Sequence, residues 1–295
     1  MTRFLKVFWL AALFVVGQAA SVASAKPLTK LEFSEAQRSQ SFEELGVKVT
    51  IQTIPDGEWT SKAIAAVEAS GYPMVLVDLG STNTGFDYEV GIGNLSTNAV
   101  APSVIIKRFT GGAHCCFQTT ILYPQSGKMT PIDFGMRDAG TDFYDLPEDI
   151  DGDGNVDFVM RDGAFLYSFT NYAASWAPPK IINLYKGNII DVSSEVGFRR
   201  IFEDFSIQSK EACTDSSDPY RNGACAAYVA SEARLGRLNA ALNFVDEHAY
   251  EGEGIVLPSD CKVELIEYVC PKDQDISFTS FYAAIRWFLR KHDYI

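Results

Sequence analysis

Along Asp149-Ile-Asp-Gly-Asp-Gly-Asn-Val-Asp157, five oxygen-bearing side chains fall on alternate positions, at loop places 1, 3, 5, 7 and 9. Calcium takes about six to eight hard oxygen ligands, and a tight loop of alternating carboxylates can wrap it. Asp149, Asp151 and Asp153 would give side-chain oxygens, Asn155 its backbone carbonyl, and Asp157 would close the loop directly or through water. Gly152 and Gly154 permit the turn. An EF-hand requires a bidentate Glu at position 12 and helices on both sides. Position 12 is Met160, and the flanks Phe158–Met160 and Phe165–Phe169 read as strands. A bare acidic turn is the alternative, at the cost of packing four like charges together. Magnesium suits the loop less well, since it prefers a compact octahedral shell with retained waters.

A second group of chemically capable residues is Gly111-Gly112-Ala113-His114-Cys115-Cys116. Adjacent cysteines can close a strained vicinal disulfide or bond cysteines elsewhere. The vicinal bond is favoured, because four further cysteines stand together near the C-terminus. His114 with two thiolates could hold a soft metal such as zinc or copper, or the pair could act as a redox switch. The plainest reading is a rigid turn near the acidic loop.

The pattern Asp-x-Asp-x-Asp-Gly-x-x-Asp followed by a short apolar strand resembles the FG-GAP and VCBS-type repeats. Together with the Gly-Gly-Ala-His-Cys-Cys turn and the stretch Phe165–Phe169…Ala174-Ser-Trp-Ala-Pro-Pro179, it resembles a group of uncharacterised bacterial exported proteins. The resemblance spans roughly residues 74 to 195 and implies a calcium-stabilised β-domain. It implies no activity.

The elements that must carry these residues follow from hydrophobic period. From Val47 onward, runs such as Val47–Ile51, Met74–Val77, Tyr88–Ile92, Val104–Phe109, Thr119–Tyr123, Phe158–Met160, Phe165–Phe169 and Ile181–Tyr185 read as strands bounded by turn residues. Ser61–Ser70, rich in Lys and Ala, reads as a short helix, and Leu31–Leu45 as an amphipathic helix or loose arm. Beyond Arg200, Cys225, Tyr228, Val229, Leu235, Leu238, Leu242 and Val245 recur at helical steps, as do Phe278 to Leu289. The expected class is therefore α+β: a β-rich domain, propeller-blade-like or sandwich, over 46–198, then a disulfide-bearing helical region over 205–295. Residues 26–45 form the arm, and 1–25 a signal peptide.

That leader has Arg3 and Lys6, the apolar run Phe8–Val16 and a small-residue site at Ala23-Ser24-Ala25, so cleavage is expected after Ala25. The apolar run is shorter than the ~20 residues of a spanning helix, and no membrane span follows it. Without the leader, 23 basic residues face 38 acidic ones, a net charge of −15. Such a balance argues against nucleic acid and against docking on anionic lipid. The leader points to a periplasmic or secreted protein.

In an exported chain, six cysteines read as disulfides. A continuous helix from Cys261 to Cys270 would hold its ends ~13.5 Å apart at ~1.5 Å per residue, too far for a bond. Local pairs Cys213–Cys225 and Cys261–Cys270 therefore need a bend. The nested alternative is Cys213–Cys270 with Cys225–Cys261. Local pairs are preferred.

No Gly-x-Ser-x-Gly, His-Glu-x-x-His or phosphate-binding Gly-x-x-x-x-Gly-Lys loop is present. His248 and His292 sit on charged helix flanks, leaving His114 as the single candidate base. The leading expectation is a non-catalytic, calcium-binding envelope module that binds a protein or envelope component. The alternatives are a secreted hydrolase with its site near His114 and the acidic loop, and a thiol- or metal-handling protein using His114, Cys115 and Cys116.

Overall fold

In a computed structural model of the chain, the described residues are 29–34, 39–58, 60–82, 87–110, 115–138, 141–143, 146–267 and 269–295. The expected signal peptide with its cleavage point, and His114, lie outside them.

Nine strands come first: β1 (Thr29–Ser34), β2 (Ser39–Glu44), β3 (Val47–Pro55), β4 (Ser61–Ala69), β5 (Val75–Thr82), β6 (Asp87–Gly93), β7 (Ser103–Phe109), β8 (Cys115–Gln125) and β9 (Lys128–Asp138). They build two antiparallel sheets, of order β2-β3-β4-β5 and β1-β6-β7-β8-β9. After the acidic loop, β10 (Asp157–Arg161), β11 (Pro179–Tyr185) and β12 (Asn188–Asp191) form a third.

The three sheets stack. Val49 and Ile51 of β3, Ala65 and Val67 of β4 and Val77 of β5 pack against Val90, Ile92, Val104 and Ile106 of the five-stranded sheet. That sheet's other face carries Ile105, Ile121 and Phe134, which meet Phe158, Met160, Ile182 and Leu184 of the three-stranded sheet. Since successive side chains of a strand point to opposite faces, β7 is buried on both, and its burial runs without alternation. The far face of the third sheet, through Ile181, meets Phe198, Phe202 and Leu235.

Four helices follow: α1 (Arg199–Cys213), α2 (Asn222–Arg234), α3 (Leu238–His248) and, after the short ladder of β13 (Asp260–Cys261) and β14 (Asp275–Ile276), α4 (Phe281–Lys291). Their core gathers Cys225, Val229, Leu242, Val245, Ile285 and Phe288 around Phe165 and Phe169. Ser280 caps α4, its hydroxyl accepting from the Ala283 amide at 3.3 Å. The α+β class holds: a β-rich part, packed as a sandwich of stacked sheets, precedes a helical part that contains both Cys213–Cys225 and Cys261–Cys270. The local pairing is the one formed, with Cα separations of 4.7 and 5.6 Å. The second bond is possible because residues 261–270 bend through a tight reversal, where Ile266 and Val269 exchange both backbone hydrogen bonds, rather than continuing a helix.

Three local expectations fail. Within the stretch 31–45, the described residues 31–34 and 39–44 are strand rather than helix or arm: Phe42 of β2 lies opposite Val49 of β3, and pairing outweighs the amphipathic pattern. Residues 61–69 are strand as well, with Ala63, Ala65 and Val67 buried on one face at period two. Small side chains there fit beneath the neighbouring sheet, and tertiary packing overrides helical propensity. Phe165–Phe169 is no strand. It follows a 3₁₀ turn (Gly163–Phe165) capped by the Asp162 carboxylate, and both phenylalanines enter the helical core. The apolar face from Cys225 to Val245 belongs to two helices, α2 and α3, separated at residues 235–237.

Candidate metal centre

The acidic loop leaves the sheets at Glu148 and returns at Asp157, which pair as an antiparallel bridge with the Asp157 amide donating to the Glu148 carbonyl at 2.9 Å. Inside, its shape is set by backbone amides turned onto carboxylates. The amides of Gly152 and Gly154 donate to the two oxygens of Asp149 at 2.9 and 3.1 Å. That of Asp153 donates to Asp151 at 3.0 Å, and that of Asn155 to Asp153 at 2.7 Å.

The loop is anchored at two distant places in the sequence. On one side, the Thr97 amide donates to the Gly154 carbonyl at 2.7 Å and the Val156 amide to the Leu95 carbonyl at 3.0 Å. Gly154 has φ +89°, and a Cβ there would come within 2.6 Å of the Thr97 hydroxyl, so the approach requires glycine. On the other side, a 3₁₀ turn (Val196–Phe198) leads into α1, and a Cβ on its Gly197 would overlap that of Asp151. The loop therefore touches the β6–β7 connection, the start of β10 and the threshold of the helical part.

Carboxylate oxygens of Asp149, Asp151 and Asp153 lie within 4.8 Å of one another. Asp149 and Asp151 are half-buried and Asp153 is exposed. The groups that meet Asp151 and Asp153 are amide N–H donors rather than cationic side chains. Three hard oxygen donors facing a common point suit a divalent cation. In this respect the residues present fit calcium.

Asn155 and Asp157 stand apart from this trio. The Asn155 side-chain amide donates to Asp153 at 3.0 Å, while its backbone bridges Ser96. Asp157 is 1% exposed, and its carboxylate accepts from the Ile150 amide at 2.8 Å. With its amide turned to donate, Asn183 of β11 adds a second bond to Asp157 at 2.8 Å. The Asp157 carboxyl is pushed up to about 6, chiefly by burial, with the charges of Asp151 and Asp153 adding to the rise and the Ile150 amide working against it. Sequence reasoning did not find Asn183, Thr97 or Gly197, which no local pattern ties to the loop.

Cys116 is buried and disulfide-bonded, at the start of β8. The remaining histidines are less solvated than their charged flanks suggest. His248 stacks on Phe244 at 4.1 Å and its Nδ1 lies 2.8 Å from the Phe244 carbonyl oxygen. His292 packs on Phe288 at 4.3 Å, and burial lowers its pKa.

Residues 201–293, the helical part, match the family model described as the sll0997 C-terminal domain. The chain is 29% identical over 247 residues to a probable thylakoid lumen protein, sll0997, of Synechocystis sp. (strain ATCC 27184 / PCC 6803 / Kazusa), spanning 81% of this chain and 66% of that protein. It is likewise 29% identical over 256 residues to the uncharacterized protein y4bJ of Sinorhizobium fredii (strain NBRC 101917 / NGR234), spanning 85% of this chain and 39% of that protein. The chain thus covers less than two thirds of either relative. No solved structure matches it significantly.

Proposed function

We propose that this chain is an exported, non-catalytic module in which the Asp149–Asp157 loop takes calcium as a structural ion. The observation that carries the proposal is the convergence of Asp149, Asp151 and Asp153 where sheet and helical parts meet. Calcium bound there would supply the positive charge that offsets repulsion among the carboxylates. The chain's own residues do the rest: backbone amides orient the oxygens, and Gly154 and Gly197 bring the loop against both neighbours. The resemblance of the loop to FG-GAP and VCBS-type repeats agrees with this reading. Export is supported by the signal-like leader, by the two disulfides of the helical part and by a relative described as a lumen protein. Among the described residues, no helix is long and apolar enough to cross a membrane. We assign Cys116 a vicinal partner in Cys115, because the other four cysteines pair among themselves. The module would bind a protein or another envelope component.

Melting curves of the full chain test the ion. A ligand bound only to the folded state adds RT ln(1 + [L]/Kd) to stability. Calcium should therefore raise the melting temperature of the wild type, and Asp151→Ala or Asp153→Ala should abolish the rise. A wild-type curve indifferent to both calcium and chelator would refute the reading. Retrieval from envelope extract by the calcium-loaded chain, and not by the Asp151→Ala variant, would tie the partner to the loop.

A further inference from the structure

Between the end of β9 and the three-stranded sheet lies a cleft of about 620 Å³, within the size range of small-molecule sites. Met136, Arg137 and Asp138 form one wall, with Lys180, Ile182 and Ile189 opposite. We propose that this cleft binds an amphiphilic anion, its acidic head held by Arg137 and Lys180 and its apolar chain laid on Met136, Ile182 and Ile189. The proposal is independent of the calcium loop.

The charges in the cleft are unevenly spent. Its three carboxylates are engaged by the protein itself. Asp138 accepts from the Tyr172 hydroxyl at 2.6 Å, and Asp162 from the Tyr294 hydroxyl at 3.0 Å and the Ala164 amide at 3.1 Å. Asp191 accepts from Arg234 at 3.1 Å and the Ser193 amide at 2.9 Å. Of the three cations that line it, Arg161 stacks on the Phe205 ring at 4.7 Å, whereas Arg137 and Lys180 keep unused donor capacity. Arg137 lies over the Phe134 ring at 4.7 Å and donates to the Phe134 carbonyl, with no ion pair among the described residues. A guanidinium has five N–H donors in a planar fork suited to a carboxylate or phosphate, so most of its capacity is open. Burial lowers the pKa of Arg137 although the charges of Asp142 and Asp133 act to raise it, so an arriving anion would offset the remaining cost. Lys180 is 3.8 Å from Asp162, within ion-pair range but beyond a hydrogen bond. The apolar side is also unspent, since Met136 is 60% and Ile189 44% exposed. A purely anionic ligand would leave them so, and a purely apolar one would leave most of the Arg137 N–H donors unused.

Calorimetric titration of the full chain with octanoate, octyl phosphate and octanol tests the proposal. At least one of the two anions should bind, which identifies the head group, and octanol should bind at least roughly tenfold more weakly, the worth of one charge-assisted contact. Arg137→Met should weaken the anion roughly tenfold and Arg137→Lys less. A wild-type readout guards against a variant that misfolds: with the methionine methyls labelled, the bound anion should move the Met136 resonance, assigned with Met136→Leu. Failure of both anions to bind, octanol binding as tightly as either, or an unmoved Met136 signal would each overturn the assignment.

Discussion

Asp157 shows how one residue can serve a loop without facing its centre. Its carboxylate is turned inward, onto the Ile150 amide and Asn183, and burial raises its pKa from 3.8 to about 6. The folded, ion-free protein therefore holds a proton that the unfolded chain releases at lower pH. The contribution of Asp157 to stability is then fully present below the unfolded value and is lost as pH rises through about 4 to 6, on the order of 3 kcal/mol. A cation among Asp149, Asp151 and Asp153 favours ionised Asp157 and lowers that pKa. Melting temperatures of stripped protein should decline across this window, and calcium should flatten the decline. Parallel curves with and without calcium would show that Asp157 does not sense the loop.

At the scale of elements, the contact between Asp151 and Gly197 joins the acidic loop to the turn that starts α1. Gly197→Ala forces a Cβ into occupied space, and overpacking of this kind costs about 1–3 kcal/mol. The variant should melt below wild type and also show a smaller calcium-dependent rise, whereas a substitution that only weakened the helices would leave that rise intact. The carboxylate cluster of the loop was legible in the sequence because its alternation is local. Its supports were not, because Thr97, Asn183 and Gly197 reach it through folding of the whole chain. The same distinction explains the strands. Val104–Phe109 declares itself by composition, but Ser61–Ala69 reads as helix until Ala63, Ala65 and Val67 are seen beneath the neighbouring sheet. Phe165 and Phe169 suggested a strand by their aromatic content, yet four-residue spacing turns both into the helical core.

For the whole molecule, the two disulfides of the helical part do unequal work. Cys213 and Cys225 are buried in the helical core and tie α1 to α2, while Cys261 and Cys270 close a half-exposed excursion. Both close short loops, whose removal costs about 2–4 kcal/mol. Replacing Cys213 and Cys225 by Ala should lower the denaturant midpoint further than replacing Cys261 and Cys270, because the first pair also fills the core. Equal midpoints would mean that chain restriction alone is at work. Ser34, the last residue of β1, lies opposite Asp87, the first of β6, and the whole β2–β5 meander is strung between them. The meander leaves and rejoins its host sheet at one spot, as a guest whose two ends share a doorway. Descendants of such a chain can lengthen, shorten or exchange that guest without reordering the host strands, provided the newcomer still shelters Val90, Ile92, Val104 and Ile106 from water.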